Sequence, residues 1–387
     1  MGCESNSANA TAPSPPVAPG LETIDPATVA RAFRMDPRVP ATVPGFDAPF
    51  FQAGLAGYSD AAMRIVARRH GCPCCVTEAL LDRTLLAGGR GFAKADLGEL
   101  HDNVPGAAED HPLVGQIMGS DPDEMARAAE KMVAWNEREL GAGGGFQAID
   151  VNLACPVKKI KRKARGGHWL REPEGALDIL RAVRDAVPDR LPVTVKMRRS
   201  FDDTPDMALN FERIFDGAYE LGCAWVTVHA RTVEQKYVGP SRWTALRDIV
   251  ARRPDRVVFG SGDIWTAPDI FRMIAYTGVH AVSVARGCIG NPWIFRQARD
   301  LMAGREPALP TLAEQRETLE SHFRLCVAVN GEKRAGMLMR KFGVRFSAHH
   351  PDAETVRRGF IAVSSLADWL DLLDQAYPAE GPVRTAV

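Results

Sequence analysis

An α/β fold, a (β/α)8 TIM barrel followed by a smaller C-terminal helical domain, is what the 387-residue sequence predicts, on three observations. Eight short apolar runs alternate with amphipathic stretches from Phe50 onward, the order of a parallel sheet closed on itself. No GxGxxG follows the first run, which argues against the competing doubly wound open sheet. Strand signals stop near Pro310, and only helical periodicity continues beyond it.

Taken in order, residues 1–45 read as an N-terminal extension. Pro13, Pro15, Pro16 and Pro19 predict disorder in its first part, and Asp25-Pro26 predicts a capped short helix running to about Phe33. The barrel is assigned to residues 46–309. Its expected strands are Phe50–Ala53, Cys74–Thr77, Leu113–Ile117, Ala148–Leu153, Val193–Lys196, Trp225–Val228, Val257–Phe259 and Ala281–Val284. Helices are expected over Asp121–Leu140, with Asp121 and Glu124 forming a capping box, and over Pro173–Val187, Pro205–Leu221, Trp243–Ala251 and Ala267–Tyr276. Residues 310–387 predict three helices, Leu312–Val329, Arg334–Phe346 and Asp352–Tyr377.

Composition narrows the function. At 45% hydrophobic residues the chain can fill a large core. No run of about 18 uncharged apolar residues predicts a membrane span, and the polar start lacks the order of a secretory signal, so the expectation is a cytoplasmic protein. Forty-eight basic residues balance forty-eight acidic ones, so any affinity for nucleic acid must come from local patches. Eight cysteines without an export signal read as free thiols. The Cys72-Pro73-Cys74-Cys75 cluster lacks a second pair nearby, so buried thiols are expected there rather than a metal site.

In a barrel of this kind the working residues sit at the C-terminal strand ends and in the loops that follow. Gln116, Asn152, Cys155, Lys196, Arg198, His229, Arg231, Asp263 and Arg286 all fall there, which predicts one shared mouth. Gly260-Ser261-Gly262 and Ala285-Arg286-Gly287 follow the last two expected strands. Small residues that let N–H groups approach an anion, with an arginine fork beside them, predict a phosphorylated cofactor. Lys196 at an apolar strand end could stabilise an anionic reduced flavin or simply snorkel to the rim. Cys155 carries a thiol that is mostly protonated at neutral pH and so can act as an acid; a buried small hydrophobe is the alternative. A basic run, Lys158, Lys159, Lys161, Arg162, Lys163 and Arg165, follows it directly, and Lys333, Arg334, Arg340, Lys341 and Arg345 form a second set; both suit phosphate contacts.

These residues spell motifs. Gln52-Ala53-Gly54-Leu55-Ala56-Gly57-Tyr58-Ser59-Asp60, Gln116-Ile117-Met118-Gly119-Ser120-Asp121-Pro122, Asp150-Val151-Asn152-Leu153-Ala154-Cys155-Pro156 and Val195-Lys196-Met197-Arg198 appear in that order. His229-Ala230-Arg231-Thr232, Gln235-Lys236-Tyr237-Val238-Gly239 and Arg286-Gly287-Cys288-Ile289-Gly290-Asn291-Pro292-Trp293 follow. Together, over roughly residues 50–346, the chain resembles the tRNA-dihydrouridine synthases. The resemblance implies FMN as cofactor and NADPH (or NADH) as reductant, with tRNA as partner and no stable protein partner, so a monomer is expected. It places Gly54, Leu55, Ala56, Gln116, Lys196, His229, Ser261, Gly262, Asp263, Ala285 and Arg286 around FMN. It places Asn152, Lys158, Lys159, Arg198, Arg231, Arg340 and Lys341 against the RNA, and makes Cys155 the catalytic acid. The implied reaction adds hydride from flavin N5 to C6 of a uracil and a proton from Cys155 to C5. Departures from the family pattern are Gly54 and Leu55 for the usual Pro and Met, Ser261 for Asn, and Ala285 for Gly. Two rivals remain: a flavin barrel acting on a small free molecule, and an RNA-binding protein whose catalysis has decayed.

Overall fold

The computed structural model describes residue 16 and residues 18–87, 109–139, 145–156 and 166–378, with residues 137–139 as backbone only. Nine parallel strands form one sheet: β1 Phe50–Gln52, β2 Cys75–Val76, β3 Leu80–Leu81, β4 Leu113–Met118, β5 Ala148–Leu153, β6 Val193–Arg198, β7 Val226–His229, β8 Val258–Ser261 and β9 Ala281–Val284. The sheet closes because β1 pairs with both β9 and β2, and β2 pairs with β4. The second expected strand, Cys74–Thr77, forms as β2, and the same stave resumes beyond it as β3. Its continuation β3 pairs with the end of β4 through Leu80 and Ile117, after an interruption at Thr77–Ala79. Eight staves therefore make the (β/α)8 barrel. Nearly every strand residue is buried, as it must be where helices cover the outside and side chains fill the inside.

The expected helices form, with ends shifted by a residue or so. Helix Pro122–Glu139 is capped by Asp121, whose Oδ1 accepts from the Glu124 N–H at 2.9 Å. Glu124 itself turns to Arg83 at 2.6 Å, where the capping box would have sent it back to the helix start. Asp25 caps Pro26–Ala32 as expected. A second short helix, Arg38–Thr42, was missed. The segment read as an extension is also structural: its Val39 and Val43, with Phe46 just beyond it, are buried with Phe51, Val76, Val114, Trp225 and Phe259 in the lower barrel interior. The Phe46 ring meets Phe51, Phe259 and Trp225 edge-on, at 5.7, 5.9 and 6.5 Å between centroids. The barrel is thereby closed at the end opposite its mouth.

Beyond the barrel lie helices Leu312–Asn330, Glu332–Phe346, Ala353–Ala362 and Leu366–Ala376. The last two correct a single expected helix. Ser365 opens a new one there, its hydroxyl and Asp368 forming a reciprocal capping box. The bundle docks on the helix Ala61–Arg69 of the barrel, where His70 Nε2 meets Thr318 Oγ1 at 3.1 Å and Arg69 donates to Ser321 at 2.6 Å. Among the described residues no helix is long and apolar enough to cross a membrane. Cys72, Cys74 and Cys75 are buried at the start of β2, with the sulfurs of Cys72 and Cys75 3.9 Å apart.

Candidate active site

A cavity of about 1360 Å3, counted out to open solvent, occupies the C-terminal mouth of the barrel. Gly54, Leu55 and Ala56 line it from the loop after β1, and Gln116, Asn152, Cys155, Lys196, Arg198 and His229 from the following strands. Ser261, Gly262 and Asp263 come from β8 and its loop, and Ala285 and Arg286 from the loop after β9. Parallel strands all end on the same side of a barrel, which is why residues scattered over more than 230 positions share one wall. Strand β6 runs two residues past its expected end at Lys196, to Arg198, and β8 takes in Gly260 and Ser261.

The floor is a chain of polar groups. Gln116 donates to Asp150 at 2.8 Å and accepts from Asn152 at 2.7 Å. Asn152 Oδ1 accepts from the backbone N–H groups of Ala154 and Cys155 at 2.9 and 3.1 Å. Cys155, partly exposed, lines the cavity, and its thiol is close enough to Lys196 and Arg198 for their charges to be felt. Burial, reinforced by repulsion from Arg198, pulls the Lys196 ammonium down to about 8. Burial also brings Arg198 down to about 10. Burial and the surrounding cations hold His229 well below its usual value, so its ring is neutral. His229 Nδ1 accepts from the Arg231 N–H at 3.1 Å. The ring proton therefore sits on Nε2, free to be offered to the cavity.

The three arginines expected on RNA are already engaged. Arg198, 1% exposed, gives its guanidinium to the carbonyls of Ala154, Thr232 and Lys236 at 2.7–2.9 Å, although its side chain still lines the cavity. Arg231, 2% exposed, lies behind the cavity wall, bonded to Asp263 and to the Gly239 carbonyl. Asp263, expected against the cofactor, spends its carboxylate on Arg231 and on the Ser241 N–H at 2.7 Å. Arg340 donates to the Val363 carbonyl. The Lys341 ammonium lies 4.4 Å from the Tyr58 ring centre, tying the helical bundle to the loop after β1. Lys158 and Lys159 lie outside the described residues.

Some wall residues went unread. The guanidinium groups of Arg198 and Arg286 lie over the Tyr237 ring, at 5.4 and 5.0 Å, and Arg286 also lies over the Trp265 ring at 4.8 Å. Their aromaticity beside two arginines was the available signal. Ser283 and Asp150 point inward from strand interiors, which a search confined to strand ends passes over.

The cavity fits a phosphorylated flavin. Ser283 Oγ is buried and lacks a partner among the described residues, in a wall shared with Gln116 and Lys196. Such an orphaned group asks for a polar ligand. Lys196 offers positive charge to an electron-rich ring, and Arg286 stands over the small-residue loops at the other end. Gly262 has φ +124°, and a Cβ there would come within 2.1 Å of Ser241 Oγ, so only glycine lets this loop lie flat beside the cavity.

A closed barrel whose mouth joins a lysine wall, an arginine-flanked anion end and a cavity-facing thiol defines a flavin-dependent oxidoreductase. Sequence comparison then places it. The family model described as dihydrouridine synthase matches residues 51–380, and the chain belongs to that family. A probable tRNA-dihydrouridine synthase of Treponema pallidum (strain Nichols) is 30% identical over 337 residues, 86% of this chain and 94% of the relative. One of Mycobacterium leprae (strain TN) is 33% identical over 278 residues, covering 70% and 69%. The tRNA-dihydrouridine synthase B of Proteus vulgaris is 31% identical over 261 residues, covering 67% and 76%.

Proposed function

We propose that this protein reduces the C5–C6 double bond of a uridine in tRNA, with FMN as its flavin, NADPH as reductant and Cys155 as proton donor. The observation that carries the reading is the position of the Cys155 thiol on the same wall as Asn152, Lys196 and Arg286. A thiol alone could be packing; a thiol that lines a cavity together with Lys196 and Arg286 suits acid catalysis beside a flavin.

When bound, FMN supplies the hydride that C6 receives, at the expense of NADPH. Cys155 gives its proton to C5, and the two additions together make dihydrouracil. Asn152 and Arg198 line the cavity that a base would enter, and the half-exposed Tyr237 adds an aromatic ring to its wall. A stacked base must be turned out to reach such a cavity. The residues 310–387 form the RNA-binding domain in this reading. Arg334, Lys341 and Arg345 share one face of helix Glu332–Phe346, and Arg345 stands near enough to Arg286 to repel it. The two groups continue one basic track for phosphates.

The test is to map dihydrouridine in total RNA from cells that carry the wild-type protein or Cys155→Ala. Loss of the modification at defined tRNA positions in the variant supports the reading. An unchanged profile in every RNA class overturns it, and turnover of free uridine without RNA by the purified protein favours a small-molecule reductase instead.

A further inference from the structure

Strand β5 sends alternate side chains to the same side, so Asp150 and Asn152 both face the barrel interior. Asp150 is 5% exposed, and the reaction proposed above gives it no part. Both its oxygens accept: Oδ1 from Thr194 Oγ1 at 2.7 Å, and Oδ2 from Gln116 Nε2 at 2.8 Å. From there the bonds run outward without a break. Gln116 Oε1 accepts from Asn152 Nδ2, and Asn152 Oδ1 accepts from the N–H groups of Ala154 and Cys155.

The direction of this chain is fixed from both ends, by a carboxylate that only accepts and by backbone N–H groups that only donate. A primary amide has a donor end and an acceptor end that are nearly the same shape, so packing cannot orient it. A carboxylate accepts only. Asp150 therefore requires Gln116 to present its NH2 group inward and its carbonyl to Asn152. Asn152 must then present its NH2 group to Gln116 and its carbonyl to the cysteine turn. If both amides turned over, Asn152 Nδ2 would face two backbone N–H groups, donor against donor.

We propose that Asp150 is a positioning residue for Cys155: its carboxylate anchors the inner end of the Gln116–Asn152 amide chain, in the sense that the turn's N–H groups require at the outer end, and so steadies the turn that carries the thiol. The proposal rests on Cys155 being the proton donor, and it adds the group that fixes where the donor stands. A merely structural acid would stiffen the barrel interior without singling out this thiol.

The experiment uses the full-length flavin-loaded protein and two assays. One is the rate at which iodoacetamide alkylates Cys155, followed by mass spectrometry of the peptide that contains it. The other is kcat and KM with tRNA. Releasing an amide chain of this kind forfeits hydrogen bonds of about 1–3 kcal/mol, so Asp150→Asn is expected to lower kcat about 10–100-fold, with KM for tRNA within about twofold. The Cys155 alkylation rate should change at least severalfold, while that of the buried Cys223 and Cys326 stays as in wild type. Thr194→Val removes one donor but leaves the carboxylate facing Gln116, so both readouts should stay within about threefold of wild type. Asp150→Glu, which keeps the charge, should recover part of what Asp150→Asn loses. Should Asp150→Asn not fold, Asp150→Ser, smaller and uncharged, is read in the same assays with the same expectation. Equal damage from Thr194→Val and Asp150→Asn, or an unchanged Cys155 alkylation rate in the uncharged variants, overturns the proposal. Full turnover by Cys155→Ala would instead sink the acid role of the thiol, and the alkylation assay would still report on the amide chain.

Discussion

One nitrogen of Arg231 reaches both carboxylate oxygens of Asp263, at 2.7 Å each, and both side chains are almost wholly withdrawn from solvent. Asp263 also sits at φ +56°, a backbone region that a non-glycine residue enters only when its surroundings hold it there. The pair thus pins the loop after β8 against the cofactor end of the cavity. Removing one partner of a buried ion pair costs about 3–5 kcal/mol, because the other is left charged and unpaired. Arg231→Met is expected to lower stability by roughly that amount in urea unfolding and to release flavin on gel filtration. Weaker binding to tRNA at full flavin content would show that the guanidinium acts on RNA after all.

Lys196 poses the opposite trade. Its ammonium is held near 8 by burial and by Arg198, against about 10.4 in an unfolded chain. Below pH 8 both states carry the proton, and the folded state bears the full cost of the charge. Between pH 8 and about 10.4 the unfolded chain keeps the proton that the folded one has shed, so stability rises with pH across that window. The cost is about 2 kcal/mol after allowance for the cavity's solvent. Flavin-free Lys196→Met should therefore unfold at higher urea than flavin-free wild type at pH 7. The gap should close as pH approaches 10.4. Added FMN should reverse the order, since the methionine offers no charge to the flavin. A gap that is independent of pH would mean that the ammonium is not the cause.

Glycine at position 54 has a steric reason. A Cβ on residue 54 would lie 2.3 Å from the Thr77 carbonyl oxygen and 3.3 Å from Gln116 Oε1. The first contact is with backbone, which cannot swing aside as a side chain can. Gly54→Ala is expected to push the loop after β1 into the cavity, with at least tenfold weaker FMN binding in a fluorescence titration and a smaller change in the urea midpoint. An affinity within twofold of wild type would show that β2 yields instead.

Much of the architecture was legible because periodicity and strand-end position are local properties. Gln116, Asn152, Cys155, Lys196 and His229 could be gathered on one wall from sequence, since each lies at or just past the C-terminal end of an expected strand. What stayed hidden depends on partners distant in sequence. Arg198 and Arg231 look like open cations in a list of residues. Only folding brings Arg231 to Asp263 and sets three carbonyls around Arg198. Asp150 was passed over for a related reason: it lies inside β5, and its meaning comes from Thr194 and Gln116 on the neighbouring strands. The single long helix expected after Asp352 failed at Val363–Ser365, where the Ser365–Asp368 cap outcompetes continuation.

The segment before β1 shows the same limit and can be tested. Proline content predicts disorder only in the first part of the extension 1–45; farther along, Val39 and Val43 are completely buried, and Phe46 just beyond is 1% exposed, under the aromatic cluster of Phe51, Trp225 and Phe259. Phe46→Ala would leave a cavity that the rigid strands around it cannot collapse to fill, at about 3–5 kcal/mol. Deleting residues 1–45 removes Val39 and Val43 together, each worth about 1.5–3 kcal/mol of burial, and opens the lower end of the barrel to water. Both proteins should unfold at clearly lower urea than wild type. The deletion should also weaken FMN binding, since Phe46 and Lys196 line one continuous interior space below the mouth. A fragment starting at residue 46 that matches the full chain in both measurements would show that these side chains merely rest on the barrel without closing it.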